Sequence, residues 1–307
     1  MQTILGAGGA IGIPLAKELP SYTNKVRLVG RHPKKINESD ELFAGDLTDK
    51  DFVNKAVNGS EVVYLTVGLP YHIKVWRKQW PVIMANVIDA CILHKAKLVF
   101  VDNVYAYAKN EVVHMTEDSP IAAETKKGKV RAELLKMIHN AIERKGLTAV
   151  VARSADFYGT NAKSSFMQIG VFDKFKKNQK AFWQSDASKI HSFTYTADAA
   201  KGIAILGNSP EANNQTWHLP TSAERWTGKD FINYIAEDMN VKPKYYILSK
   251  TMIGLTGIFS PMVKELSEMQ YQNDRDYFFN SSKFERAFSF TPTRYADGIK
   301  EILQAEK

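Results

Sequence analysis

Hydrophobic positions along this chain switch repeatedly between two periods. Short runs of aliphatic and β-branched residues alternate with longer stretches in which apolar residues recur at helical spacing. Thr3-Ile4-Leu5 predicts a first strand, and Ile11–Leu19 a helix directly after it. Lys25–Gly30 predicts a second strand, Leu42–Leu47 a short third one carrying an acid at its end, and Asp49–Val57 a helix with Asp49 as its N-cap. Glu61–Val67 is nearly all apolar and β-branched, as a parallel strand buried on both faces should be, and it stops at Gly68. Val75–His94 predicts a long amphipathic helix, Lys97–Val101 a fifth strand, Thr125–Lys145 a second long helix and Leu147–Arg153 a sixth strand. Strands alternating with helices of this length imply crossover units and one parallel sheet.

Beyond Arg153 the periodicity weakens. Phe166–Lys177 and Thr196–Leu206 read as helices, Gln215–Leu219 as a strand, Thr227–Met239 as a helix capped by Thr227, and Tyr245–Leu248 as a strand, with short helices to the end. No linker rich in Pro, Gly or Ser intervenes. The expected fold is α/β: a Rossmann-type doubly wound parallel sheet, strand order 3-2-1-4-5-6, with a smaller α/β substrate lobe. Residues 1–160, joined by about 190–220, are expected to form the domain built on this sheet. Residues 161–189 and 221–307 are expected to form the substrate lobe, with a cleft between the two.

Composition narrows the class. Of 307 residues 44% are hydrophobic, which excludes global disorder. No apolar run reaches membrane-spanning length and no signal peptide is evident, so no membrane is expected as a partner and the cytoplasm is the default location. The single cysteine, Cys91, excludes an internal disulfide and a thiolate metal site, and the seven histidines show no ligand spacing, so no metal is expected. The net charge of +8 comes from basic residues scattered along helices, without arginine–aromatic interleaving. That reads as a solvated surface rather than a nucleic-acid site. The aromatic run Trp76–Trp80 reads as packing. His191 with Asp186 either touches a substrate phosphate or sugar or is an ordinary loop residue.

The chemistry concentrates between Gly6 and Gly12, in Gly-Ala-Gly-Gly-Ala-Ile-Gly. A strand, a glycine-rich turn and a helix in succession form a phosphate cradle. Gly6 permits the sharp turn, Gly9 leaves room for a pyrophosphate, and Gly12 lets helix and strand pack closely. The N–H groups across Gly8, Gly9, Ala10 and Ile11, at the positive end of the helix dipole, would face the anion. The second strand ends at Arg31, with Lys34 and Lys35 close behind and no acid in that place. An acid there would bind a ribose 2′-hydroxyl, whereas an arginine accommodates a 2′-phosphate, so NADP is favoured over NAD.

Together these residues resemble the short-chain dehydrogenase/reductase superfamily, in its extended, epimerase/dehydratase-like branch. The resemblance rests on the Gly6, Gly9 and Gly12 spacing, on Gly45-Asp46-Leu47-Thr48-Asp49, on Ala155-Asp156-Phe157-Tyr158-Gly159, on Phe193–Ala200 and on Ser281-Ser282-Lys283-Phe284. It implies that Asp46 and Leu47 flank an adenine and that Val67 and Gly68 lie near the cofactor. It further implies a serine, a tyrosine and a lysine as catalytic groups, the last two spaced Tyr-x-x-x-Lys. Lys129 falls at the lysine position, where it would hold the nicotinamide ribose. Thr125 stands where tyrosine belongs and Asn103 where serine belongs. An aliphatic hydroxyl is a far poorer acid than a phenol of ordinary pKa ~10. Tyr105 is therefore the candidate relocated proton donor, ahead of Tyr107 and Tyr158, and Asn103 a candidate hydrogen-bond donor to a carbonyl. Three readings stand: an NADP-dependent oxidoreductase with an atypical site acting on a small carbonyl or related substrate, a non-catalytic NADP-binding sensor or partner-binding protein, and a sugar-nucleotide epimerase or dehydratase. A homodimer through the two long helices is a family-level expectation.

Overall fold

A seven-stranded, wholly parallel sheet holds the molecule together. The computed structural model describes residues 1–249, 252, 265 and 267–305. The strands in chain order are β1 (Gln2–Leu5), β2 (Val26–Gly30), β3 (Glu41–Ala44), β4 (Val62–Leu65), β5 (Lys97–Asp102), β6 (Ala149–Arg153) and, much later, β10 (Thr216–His218). Across the sheet they run β10-β6-β5-β4-β1-β2-β3, with every pairing parallel. The expected order 3-2-1-4-5-6 is therefore present, extended by one strand at the β6 edge. β1 and β4 are buried at every position because helices cover both faces.

On one face lie α2 (Lys50–Val57), α3 (Ile73–His94) and α4 (Lys126–Lys145), which pack residues such as Val57, Met84 and Leu134 onto Leu65 and Phe100. On the other lie α1 (Gly12–Glu18), α6 (Thr196–Asn208) and the helix Ser282–Phe288, packed on Ile4, Leu28 and Val99. The local signals for the caps work as expected. The Asp49 carboxylate accepts from the amides of Asp51 and Phe52 at 3.0 and 3.1 Å. Thr227 and Asp230 form a reciprocal capping box at the start of α7 (Gly228–Asp238).

A second apolar cluster centres on Trp183, Phe193, Phe231 and Tyr295. It joins α7, the helix Tyr295–Ala305 and a two-stranded parallel pair, β8 (Ala181–Gln184) with β11 (Tyr245–Leu248). Two further strands, β7 (Asp156–Tyr158) and β9 (Phe193–Tyr195), pair in parallel. With three residues each, they are too short to register as a period. Phe166–Lys177 is a π-helical turn, Gln168–Phe172, running into a short α5 (Asp173–Lys176), in place of one regular helix. Packing sets this shape: a side chain at Gly170 would come within 3.0 Å of the Phe182 carbonyl oxygen on β8.

Candidate functional site

The glycines of the first turn divide into two kinds. Gly6 has φ +103°, and a Cβ there would sit 2.5 Å from Val67 Cα, so the turn passes the end of β4 at a separation only glycine permits. A Cβ on Gly12 would meet the Ala7 carbonyl oxygen at 2.6 Å. Gly8 faces open space, and a Cβ on Gly9 would touch only the Gly6 carbonyl oxygen, at 3.6 Å. Ala10 lies half-buried in the same turn. Ile11 is the N-cap of α1 and supplies no capping side chain. Open space also lies over Gly30 at the end of β2 and over Gly68 just past β4. These positions outline a groove along the carboxyl ends of the strands, where the strand order reverses beside β1.

Arg31 follows Gly30 and is exposed. Asp46, just beyond β3, accepts from the Thr48 amide at 2.8 Å and the Thr48 hydroxyl at 2.9 Å. Those two bonds, with a smaller contribution from the Arg31 charge, hold its carboxyl below the ordinary range. Leu47 is buried, and its carbonyl accepts from Asn86 Nδ2 at 3.1 Å.

At the same carboxyl edge of the sheet α4 begins, with Thr125 as its N-cap. Its Oγ1 accepts from the Gly128 amide at 3.0 Å, and the side chain is buried. A side chain on Gly128 would collide with the Tyr105 carbonyl oxygen, so α4 starts in tight contact with the loop after β5. Helical spacing puts Thr125, Gly128 and Lys129 on one face, and Lys129 is exposed there. Lys127 points the opposite way. It is fully buried, ion-paired with Glu265 and, at 3.3 Å, with Glu268, and lies 4.3 Å over the Tyr71 ring. Those glutamates also accept from the first amides of two helices, Glu265 from Ile73 at 3.2 Å and Glu268 from Lys126 at 3.0 Å.

Beneath the loop after β5, Asp102 is clasped between two buried arginines. Arg131 Nε donates to it at 2.7 Å and Arg153 Nη2 at 3.1 Å. The Arg131 guanidinium lies 4.7 Å over the rings of Trp80 and Phe100, so the Trp76–Trp80 run is indeed packing. From this anchored base Asn103 Oδ1 accepts from the Tyr105 amide at 3.0 Å, which leaves the amide hydrogens of Asn103 available. The Tyr105 ring stacks on Trp76, and its hydroxyl lies 3.4 Å from that of Tyr71. Burial above all, then the charges of Tyr71 and Asp156, push the Tyr105 phenol well above its ordinary value.

The other two phenols lie in the core. Tyr107 Oη is 2.7 Å from His218 Nε2, while His218 Nδ1 is 2.7 Å from the Asn280 carbonyl oxygen. A carbonyl only accepts, so Nδ1 carries the proton and Tyr107 donates to Nε2. His218 is thus neutral, and burial, aided by the Arg153 charge, depresses its pKa well below the usual value. Tyr158 is buried among Phe193, Tyr195 and Tyr295.

His191 and Asp186 do not meet in a pair. Asp186 accepts from the amide and hydroxyl of Ser188 at 2.8 and 2.7 Å. His191 Nε2 instead lies 3.0 Å from Asp156 Oδ2, and its ring stacks on Tyr277 at 4.4 Å. Tyr71 meets Tyr105, Lys127 lies over Tyr71, and the Asp156 charge reaches Tyr105, a grouping to which the sequence pattern gave no role. Lys127 left a trace, as a lysine in line with the apolar stripe Val130, Leu134, Ile138 and Ala141. Among the described residues no group of three or more His, Cys, Asp or Glu could hold a metal, and no helix is long and apolar enough to cross a membrane.

The sequence profile of the NAD dependent epimerase/dehydratase family matches residues 3–219. The chain belongs to that family. The match runs from β1 through β10 and so takes in the whole main sheet of this epimerase/dehydratase family member. No curated protein is matched at the sequence level. Solved structures align over almost the full length. A double mutant of DesIV, a dTDP-glucose 4,6-dehydratase from Streptomyces venezuelae with NAD and DAU bound, has 13% identity and a TM-score of 0.79, covering 99% of this chain and 96% of its own. UDP-N-acetylglucosamine 4-epimerase from Bacillus cereus has 17% identity and a TM-score of 0.78, with the same coverage. MoeE5 in complex with UDP-glucose and NAD has 16% identity and a TM-score of 0.78, covering 100% of this chain and 99% of its own. At these identities the family member shares their fold.

Proposed function

We propose that this protein is an NADP-dependent oxidoreductase acting on a small carbonyl compound or the corresponding alcohol, with an altered set of proton-handling residues. The observation that carries the cofactor choice is the exposed Arg31 directly after Gly30, where no acid stands to bind a 2′-hydroxyl. The residues fit a dinucleotide. Gly8, Gly9, Ala10 and Ile11 would receive the pyrophosphate in the open turn bounded by Gly6 and Gly12. Asp46 and Leu47 would flank the adenine, Val67 and Gly68 would border the nicotinamide half, and Lys129 would hold its ribose. The nicotinamide, when bound, supplies or accepts hydride. Residues 1–160 with about 190–220 would form the cofactor-binding part, and 161–189 with 221–307 the substrate-binding part.

Asn103 offers its amide hydrogens to a carbonyl oxygen. Tyr105 keeps its proton at neutral pH, since its pKa lies well above the ordinary phenol value. A phenol raised in this way is a weaker acid than an ordinary one, so donation by Tyr105 would depend on the negative charge that develops on the substrate oxygen as hydride is transferred. Thr125 has its hydroxyl engaged as a helix cap and serves the geometry of α4. That engagement is also what favours the second reading, a cofactor-binding protein without turnover. Titration with NADPH and NADH tests the proposal. Arg31→Ala should weaken NADPH binding by about tenfold or more and leave NADH nearly untouched. Equal losses for both cofactors would sink the 2′-phosphate assignment, and tighter NADH than NADPH binding by the wild type would move the protein to the NAD side, where the NAD-bound DesIV and MoeE5 structures stand.

A further inference from the structure

A cavity of about 520 Å³ opens beside the N-terminus of α4, with Thr125, Lys126, Gln270 and Tyr271 in its wall. Neither the groove glycines nor Asn103, Tyr105 or Lys129 line it, so of the proposed reaction centre it shares only Thr125. Gln270 is 6% exposed and Tyr271 7%, and neither side chain closes a hydrogen bond among the described residues. Thr125 is equally buried; its hydroxyl accepts from the Gly128 amide, and its own hydrogen has no acceptor there. Buried polar groups are as a rule paired within the fold, so three with bonding capacity to spare in one cavity wall point to a ligand.

Charge narrows what that ligand is. The three acids of the described wall are engaged. Glu124 pairs with Lys109 at 3.0 Å and Asp274 with Arg275 at 2.7 Å. Glu268 pairs with Lys127 at 3.3 Å and accepts from the Lys126 amide at 3.0 Å. The Lys126 ammonium is exposed and has no acid partner among the described residues. An ammonium in the first turn of a helix also lies against the helix dipole, a cost that an anion held there would offset. One uncompensated cation, beside donors without acceptors, suits a ligand with a single negative charge and two paired acceptor oxygens, as in a carboxylate. A phosphate dianion would bring a second charge that no unpaired cation of the described wall matches, with three acids close by.

We propose that this cavity binds a small organic monocarboxylate: Lys126 supplies the opposing charge, the Thr125 hydroxyl and the Gln270 amide donate to the carboxylate, and Tyr271 walls its carbon skeleton. The site needs no cofactor, so its failure would leave the oxidoreductase reading untouched. Calorimetric titration of benzoate into the cofactor-free protein, in slightly alkaline buffer, tests it, with benzamide and inorganic phosphate as controls. The wild type should bind benzoate saturably in the millimolar range or tighter, and benzamide and phosphate at least about tenfold more weakly. Lys126→Gln alters an exposed side chain and should weaken benzoate binding by about tenfold. Gln270→Met nearly keeps the side-chain volume and should weaken it by about fivefold. Circular dichroism checks both folds, and if Gln270→Met does not fold, Lys126→Gln decides alone. Absence of saturable benzoate binding by the wild type overturns the inference, and so does benzoate binding that Lys126→Gln leaves unchanged. Phosphate or benzamide bound as tightly as benzoate overturns the carboxylate assignment.

Discussion

At Thr125 one hydroxyl closes the first turn of α4 by accepting from the Gly128 amide. Thr125→Ala should therefore lower unfolding free energy by about 1 kcal/mol, and Thr125→Ser should restore it, measured by urea denaturation. A variant with no change in stability would show that the cap is idle. Caps of this kind are legible in a sequence because partner and acceptor lie within three residues, as at Asp49 and Thr227. Asp156, Tyr71 and Lys127 are not legible in that way. Asp156 meets His191 across 35 positions and Lys127 meets Glu265 across 138. Nothing local marks such pairs, whereas the spacing of Thr125 and Lys129 and the missing acid at Arg31 can be read directly.

Among the elements, the strand–turn–helix at the N-terminus separates folding from binding. Gly6 and Gly12 are needed for the chain to close on itself, but Gly9 is not, since a methyl group there would meet only ordinary contact and its φ is not positive. Gly9→Ala should leave the unfolding free energy within about 0.5 kcal/mol of wild type. The same change should weaken NADPH binding by about tenfold or more, because the methyl group would occupy the space proposed for pyrophosphate. Unchanged NADPH affinity would move the phosphates elsewhere. Long elements with many apolar repeats, such as α3, α4 and the central strands, appear where their periodicity puts them. β7, β9 and the π-helical turn at Gln168–Phe172 do not, because packing against distant residues decides them.

Across the whole molecule, buried titratable groups set the pH range of the fold. His218 is held neutral in the native protein, whereas in the unfolded chain it gains a proton below its ordinary pKa of about 6.5. The unfolded state then binds more protons, so stability should fall as the pH drops below that value. At the alkaline end, Tyr64, Tyr71, Tyr105, Tyr107, Tyr271, Tyr277 and Tyr295 all have raised values, chiefly through burial. Tyr107, for one, is pushed up to about 12. The unfolded chain releases these protons near pH ~10, so the stability they contribute is complete below that and lost above it. Denaturation midpoints measured from acid to alkaline pH should trace a plateau with both flanks falling, and His218→Gln should flatten the acid flank. A flank that persists in the variant would assign acid sensitivity to other groups.

The placement of β10 at the sheet edge, with His218 bonded to Asn280 and its ring 3.9 Å from Phe279, also bears on biosynthesis. A nascent chain can assemble six strands once residue 153 has emerged from the ribosome, but β6 then stays an open edge while the next 60 or so residues are made. The segment that locks β10 in place arrives about 60 residues later still. During that interval the free edge of β6 is open to pairing with another chain, a hazard that the arrival of β10 removes.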